Sequence, residues 1–261
     1  MLFSKKTFDK INIQKNFLDK KSFAIYGLGA TGKSVLRFLN RKRIKKLFYY
    51  DDQLSIKFFK GLNNKKTFEK SLDNVDYIVI SPGININKSK LKKKLLKNKN
   101  KIITDLDIFY IINSKIKSIV VTGSNGKSTT CKIIEHLFNK HNINIKLGGN
   151  IGKPILDLKF KKNSLAVIEA SSFQLEYSKF IKPNYAIILN ITKDHLDWHK
   201  TMKKYVNSKF KIFSNQNIHI LICWPLCSIR VYQFRYLDHT PEEVFPYGVP
   251  EFIKDPTITG M

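Results

Sequence analysis

Cysteine is scarce, with three residues in 261. Cys131, Cys223 and Cys227 are odd in number, and the Cys223/Cys227 spacing lacks the His or Cys partners that a zinc site needs. That argues against a disulfide scaffold and for a reducing, cytoplasmic setting. Long apolar runs are missing too. The N-terminus is basic and polar without an apolar signal core, and the longest apolar stretch, residues 218–229, is short and broken by Pro225. Neither export nor a membrane partner is expected. Acidic residues are few, 20 against 47 Lys and Arg, leaving a formal net charge of +27. Such an excess raises nucleic acid as a partner. Here it is almost all Lys, accompanied by abundant Asn, Ile and Phe, the mix of an AT-rich coding sequence. A solvated lysine surface, with no nucleic-acid partner, is the expected outcome.

What is present is a chain able to bury a sizeable core, with 43% hydrophobic and 12% aromatic residues. Phe23 to Tyr26 reads as a buried strand, followed by Gly27-x-Gly29-x-x-Gly32 and an apolar-periodic run through Val35, Leu36, Phe38 and Leu39. Leu47 to Tyr50 and Tyr77 to Ile80 make further strands, ending at Asp51-Asp52 and Ser81-Pro82-Gly83. Strands alternating with helices predict a parallel, doubly wound sheet. A second unit begins near residue 106. Ile119 to Val121 leads into Thr122-Gly123-Ser124-Asn125-Gly126-Lys127-Ser128-Thr129 and a helix to about Lys140, with strands at 165–169 and 185–189. Composition breaks after Gln216: residues 1–216 hold 44 of the 47 Lys and Arg, whereas 217–261 hold five of the eight Pro and two of the three Cys. This end reads as frameshifted or foreign.

The second glycine loop is the more specific. Backbone amides in such a turn, with a helix N-terminus behind them, present positive dipoles to phosphate, and Lys127 can reach the terminal phosphates. Ser128 is placed for Mg²⁺. The standard phosphate-loop pattern would put glycine where this chain has Val121, so the match is to a shorter relative, Gly-x-x-Gly-Lys-Ser-Thr. The first loop has the form of a dinucleotide fingerprint, with Asp51 or Asp52 at the distance of a ribose contact. NAD and a diphosphate-linked substrate such as a UDP-sugar both remain open from that loop alone. Glu169 ends a strand, and a carboxylate aimed at a phosphate loop is what a hard cation requires, although a helix-capping role would look the same. Asn190 to Asp197 brings His195 and two acids to the same sheet edge.

Taken together, Thr122 to Thr130, Gly148 to Gly152, Glu169 to Glu176, Asn190 to His199 and Ser208 to Phe213 resemble the Mur ligase family in order and approximate spacing. Ser81 to Ile84, Gly149 to Gly152 and Ser171 to Glu176 are most similar to its D-glutamate-adding branch. The resemblance implies an α/β chain, with a Rossmann-like parallel-sheet domain over residues 1–105 and a partial P-loop ATPase-like α/β domain over 106–216. It implies ATP held by Gly123, Ser124, Asn125, Gly126, Lys127, Ser128 and Thr129. One Mg²⁺ would lie on Ser128 and Glu169 and a second on His195. Lys209 matches the family's carbamylated lysine. Thr31, Asp51, Asp52 and Ser81 match the region that holds the uridine diphosphate, and Asn150, Gln174 and His195 match contacts to the sugar and lactoyl part. The implied activity is ATP-dependent joining of D-glutamate to UDP-N-acetylmuramoyl-L-alanine through an acyl phosphate, by a monomer. Lys127, His195 and Lys209 would act at the reacting centre. Nothing after Gln216 resembles the family's third, amino-acid-binding domain, which is expected to be absent along with its D-glutamate contacts.

Overall fold

A computed structural model describes residues 18–55, 59–215, 220–222 and 230–232. The first unit runs β1 (Phe23–Tyr26), α1 (Ala30–Arg41), β2 (Leu47–Tyr50), α2 (Lys65–Ser71), β3 (Tyr77–Ile80), α3 (Lys92–Lys97) and β4 (Ile102–Ile103). Its sheet has the order β2-β1-β3-β4, all parallel. α4 (Asp105–Ile112) then leads to the second unit: β5 (Lys117–Thr122), α5 (Lys127–Lys140), β6 (Ile145–Gly149), β7 (Leu165–Glu169), α6 (Ser172–Tyr177), β8 (Tyr185–Ile188), α7 (Leu196–His199), α8 (Met202–Phe210), β9 (Ile220–Ile222) and β10 (Arg230–Tyr232). This sheet has the order β10-β9-β8-β5-β7-β6 and is parallel except where β10 pairs antiparallel with β9. The doubly wound expectation is met. The final antiparallel strand was not anticipated, and the expected foreign end falls almost wholly outside the described residues.

Successive strand residues point to opposite faces, and the core follows that period of two. In β1, Phe23 and Ile25 enter one apolar cluster while Ala24 and Tyr26 enter another. In β5, Val120 faces one way, Ile119 and Val121 the other. The inward sets of both sheets meet in one cluster, which also takes Val35 and Leu39 of α1, Leu106 and Phe109 of α4, and Leu175 of α6. Two smaller clusters cover the outer faces.

α4 explains how the units join. It is buried from Asp105 to Ile111, as a helix apolar on most sides must be. Its first turn closes a capping box in which the Thr104 N–H donates to Asp107 at 2.8 Å. The other Asp107 oxygen accepts from the Lys179 and Phe180 amides at 2.8 and 2.6 Å, satisfying a buried carboxylate and tying α4 to the segment after α6. The boundary expected at residues 105/106 therefore falls inside a helix packed in the shared core. An Arg37–Asp157 ion pair at 2.5 Å adds an exposed link between the units.

Candidate functional site

The loop between β5 and α5 has the backbone that phosphate-binding turns require. Gly126, at φ +82°, precedes the first helical residue, and Gly123, at φ +156°, opens the turn. Both angles favour glycine. Residues 190–192, just past β8, clamp the loop from the side. The Ser124 and Asn125 amides donate to the Asn190 backbone oxygen and Oδ1, each at 2.9 Å, and the Asn190 Nδ2 donates to Asn125 O at 3.1 Å. The Ser124 hydroxyl lies 2.9 Å from the hydroxyl of Tyr205, a fully buried residue of α8.

Glu169 ends β7 beside this loop and is buried, 2% exposed. Its Oε2 accepts from the Ser128 hydroxyl at 2.7 Å, and its Oε1 accepts from Asn150 Nδ2 at 2.7 Å. Asn150 is held there because its own amide donates to Glu169 O at 2.8 Å. Gly149 has to be glycine at that crossing. Its φ is +106°, and a Cβ would lie 2.4 Å from Glu169 O. The carboxylate expected at the loop is thus met by a hydroxyl and an amide from two other elements.

Two lysines converge on one carbonyl. Lys127 folds back on its own loop, donating to Gly123 O at 2.9 Å and Ser124 O at 2.7 Å. Lys209, on α8 and 1% exposed, donates to the same Gly123 O at 2.8 Å, with its ammonium 4.6 Å from the Tyr205 ring centroid. Burial first, and then the Lys127 charge, push Lys209 down to about 7. A substantial neutral fraction at Lys209 is what reaction with CO₂ would require. Thr129 lies in the first turn of α5 and is exposed.

His195 occupies the same rim. It has left-handed backbone, φ +51°, and its ring lies tilted against Phe173 at 4.7 Å between centroids and 3.3 Å from the Asp194 carboxylate. It is half exposed. His199, one helical turn on, is buried, with Nε2 3.0 Å from the Ser172 hydroxyl, and burial holds it down at about 4.

The first unit's candidates gather at the C-terminal edge of its own sheet, where ligands bind in parallel α/β folds. Asp51 accepts from the Leu28 amide at 2.7 Å and the Gln53 amide at 2.8 Å, so it shapes the glycine turn. Asp52 accepts from the Tyr26 and Tyr50 hydroxyls. Ser81 donates to Gly27 O at 2.7 Å, and Thr31 lies in the first turn of α1. Gln174 is placed differently from the rest. It is 1% exposed and completes the α6 capping box with Ser171, while its Nε2 donates to Asp105 at 3.4 Å in the layer between the sheets.

For a hard divalent cation the donor set is suitable in kind: the Ser128 hydroxyl and the Glu169 carboxylate are oxygen ligands at the mouth of a phosphate loop. Among the described residues no cluster of three or more His, Cys, Asp or Glu could hold a metal unaided. That suits Mg²⁺, which keeps waters and phosphate oxygens in its shell. Residues missed from sequence are Tyr205 and Asn190, whose bonds fix the loop. Asn190 followed a strand end and could have been flagged; Tyr205 carried no signal.

Known proteins resemble this chain over both units. Residues 121–252 match the family model described as Mur ligase middle domain, and residues 21–104 match that described as Mur ligase MurD-like, N-terminal domain. The first match runs beyond the composition break at Gln216. A protein of Rickettsia bellii called UDP-N-acetylmuramoylalanine--D-glutamate ligase is 37% identical over 204 residues, covering 76% of this chain and 44% of that protein. The protein of the same name from Thermosipho africanus is 39% identical over 208 residues, covering 75% and 48%. The chain thus spans less than half the length of these curated relatives. A solved structure from Neisseria meningitides, UDP-N-acetylmuramate:L-alanyl-gamma-D-glutamyl-meso-diaminopimelate ligase, is 14% identical with a TM-score of 0.47, covering 80% of this chain and 72% of that one. No described helix is long and apolar enough to cross a membrane.

Proposed function

Since the chain belongs to the Mur ligase family, we propose that it carries the substrate-activating part of an ATP-dependent ligase joining D-glutamate to UDP-N-acetylmuramoyl-L-alanine. The observation that carries this is the bonded set Ser128–Glu169–Asn150 at the mouth of a Gly-x-x-Gly-Lys-Ser-Thr loop. Naming of the 31–39% identical relatives supports the choice of amino acid and acceptor.

In this reading the first unit binds the uridine diphosphate at Thr31, Asp51, Asp52 and Ser81, and Asn150, Gln174 and His195 bound the sugar and lactoyl part. Gln174 then acts from behind, since it is packed against Asp105. The amides of Gly123 to Thr129 and the α5 N-terminus cradle the ATP phosphates. Lys127 exchanges its carbonyl partners for phosphate oxygens and offsets charge on the phosphoryl group as it passes to the muramoyl-alanine carboxylate. The resulting acyl phosphate is attacked by the amine of D-glutamate, phosphate leaves, and the amide forms. Mg²⁺, when bound, supplies charge neutralisation across the phosphates and would be held by Ser128 and Glu169, with His195 and carbamylated Lys209 as residues for a second ion. Tyr205 and Asn190 keep the loop in place throughout.

The test is ATP binding by calorimetry with and without Mg²⁺, for wild type and Glu169→Gln. The variant keeps the side-chain volume and should lose about tenfold or more in Mg²⁺-dependent affinity while its Mg²⁺-free affinity is kept. Equal losses under both conditions would remove Glu169 from the metal site. UDP-N-acetylmuramoyl-L-alanine-dependent ADP release that survives Lys127→Ala would sink the proposed site.

A further inference from the structure

A cleft of about 370 Å³ lies between residues 86–102 of the first unit and residues 176–211 of the second. Of the residues described at the candidate site, His199 alone lines it. Pockets for small ligands have about this volume, mostly apolar walls and a few convergent polar groups. Here the polar groups are cationic: Lys99, Lys179, Lys204 and Lys211 all line the cleft, and Glu176 is its sole lining carboxylate.

Two of these lysines are partly buried and each is bonded to a backbone carbonyl, which takes one of its three hydrogens without cancelling its charge. Lys179 Nζ donates to Lys99 O at 2.8 Å, and Lys211 Nζ donates to Glu176 O. Burial pushes Lys179 down to about 8 even though the nearby Asp107 pulls it up, and burial also pushes Glu176 up, weakening the carboxylate that lines the cleft itself. On the aromatic side, the Tyr177 and Trp198 rings lie 5.7 Å apart between centroids. An anion would therefore add counter-charge to a cleft lined by four lysines, and a planar ring would pack on its aromatic wall.

We propose that this cleft binds a small phosphorylated compound with a planar ring, its phosphate among the four lysines and its ring against Tyr177 and Trp198. Such a ligand would bridge the two units. It would also touch Lys204 and Lys211, which flank Lys209 along the chain, so occupancy would be felt at the phosphate-loop site.

Pyridoxal 5′-phosphate is a suitable probe, because it carries ring, phosphate and a lysine-reactive aldehyde. Wild-type protein is treated with substoichiometric reagent, reduced with borohydride and peptide-mapped. Label should concentrate on Lys179, Lys204 or Lys211 by about tenfold over other lysines, as a phosphate-directed reaction would give. Pyridoxal, which lacks the phosphate, and glyceraldehyde 3-phosphate, which lacks the ring, should each label these lysines several-fold less. Equal labelling by pyridoxal would mean a reactive amine without a phosphate site, and equal labelling by glyceraldehyde 3-phosphate would mean no ring subsite; either overturns the proposal. Label spread in proportion to exposure, or concentrated on Lys127, overturns it as well.

Discussion

Gly149→Ala is the most informative single change, because it strikes fold and site through one atom. Gly149 ends β6 at φ +106°, and the added Cβ would lie 2.4 Å from Glu169 O and 3.1 Å from Ile168 Cγ2. Holding alanine at such a backbone angle costs about 1–2 kcal/mol. Overpacking against a strand that cannot move freely adds about 1–3 kcal/mol. Relief is available by moving β6 away from β7, but that breaks the 2.8 Å bond from the Asn150 amide to Glu169 O, at about 1 kcal/mol. Backbone strain plus whichever of overpacking or strand shift the chain adopts gives a loss of about 2–5 kcal/mol, a large part of the roughly 5–15 kcal/mol that holds a typical domain. Urea unfolding followed by far-UV circular dichroism measures it. Gly83→Ala, whose Cβ would meet nothing within 4 Å, is the control and should stay within about 1 kcal/mol of wild type. A Gly149→Ala midpoint equal to that of the control, with unchanged m-value, would refute the steric reasoning. Stability lost without weaker Mg²⁺-dependent ATP binding would separate Gly149 from the placement of Asn150 and Glu169.

Three further outcomes are expected. Burial pushes Asp105 up to about 6, so the folded chain holds this proton more tightly than the unfolded chain, and the associated stability is present near pH 4 and lost as pH rises through about 6. The stability advantage of Asp105→Asn over wild type should therefore grow by about 2–3 kcal/mol between pH 4 and 7 in urea unfolding; a constant difference would contradict the burial argument. Cys131, buried against the sheet with its thiol pushed up to about 12, should be alkylated at pH 8 at least about 100-fold more slowly in the native protein than in urea, as read by peptide mapping. Reversing the exposed Arg37–Asp157 pair by double substitution should change stability by no more than about 1 kcal/mol, and a larger effect would mean that it, and not the core, fixes the two units.

Much of the fold was legible because its signals are local. Four-residue apolar runs ending in glycine turns or acids gave β1, β2 and β3, and the loop at 122–129 announced both strand and helix. Glu169 could be aimed at that loop from its position at a strand end alone. What stayed hidden depends on contacts between distant segments. Lys209 is one lysine among many until the fold buries it against Gly123 O, 86 residues away in sequence. Asp51 looks like a ligand-binding carboxylate, yet its oxygens take the Leu28 and Gln53 amides. Gln174 faces Asp105 because α4 is inserted between the sheets, and no spacing rule announces that the helix joining two units will be the most buried helix of either.

That burial of α4 governs how the molecule can come apart. With Phe23, Phe109, Val120 and Ile168 in one cluster, neither sheet can open without wetting apolar surface belonging to the other. Amide hydrogens of β1 and β5 should therefore exchange through the same rare opening, at similar rates. A replacement of one sheet would have to bring a matching inner face with it, although each sheet has its own glycine loop.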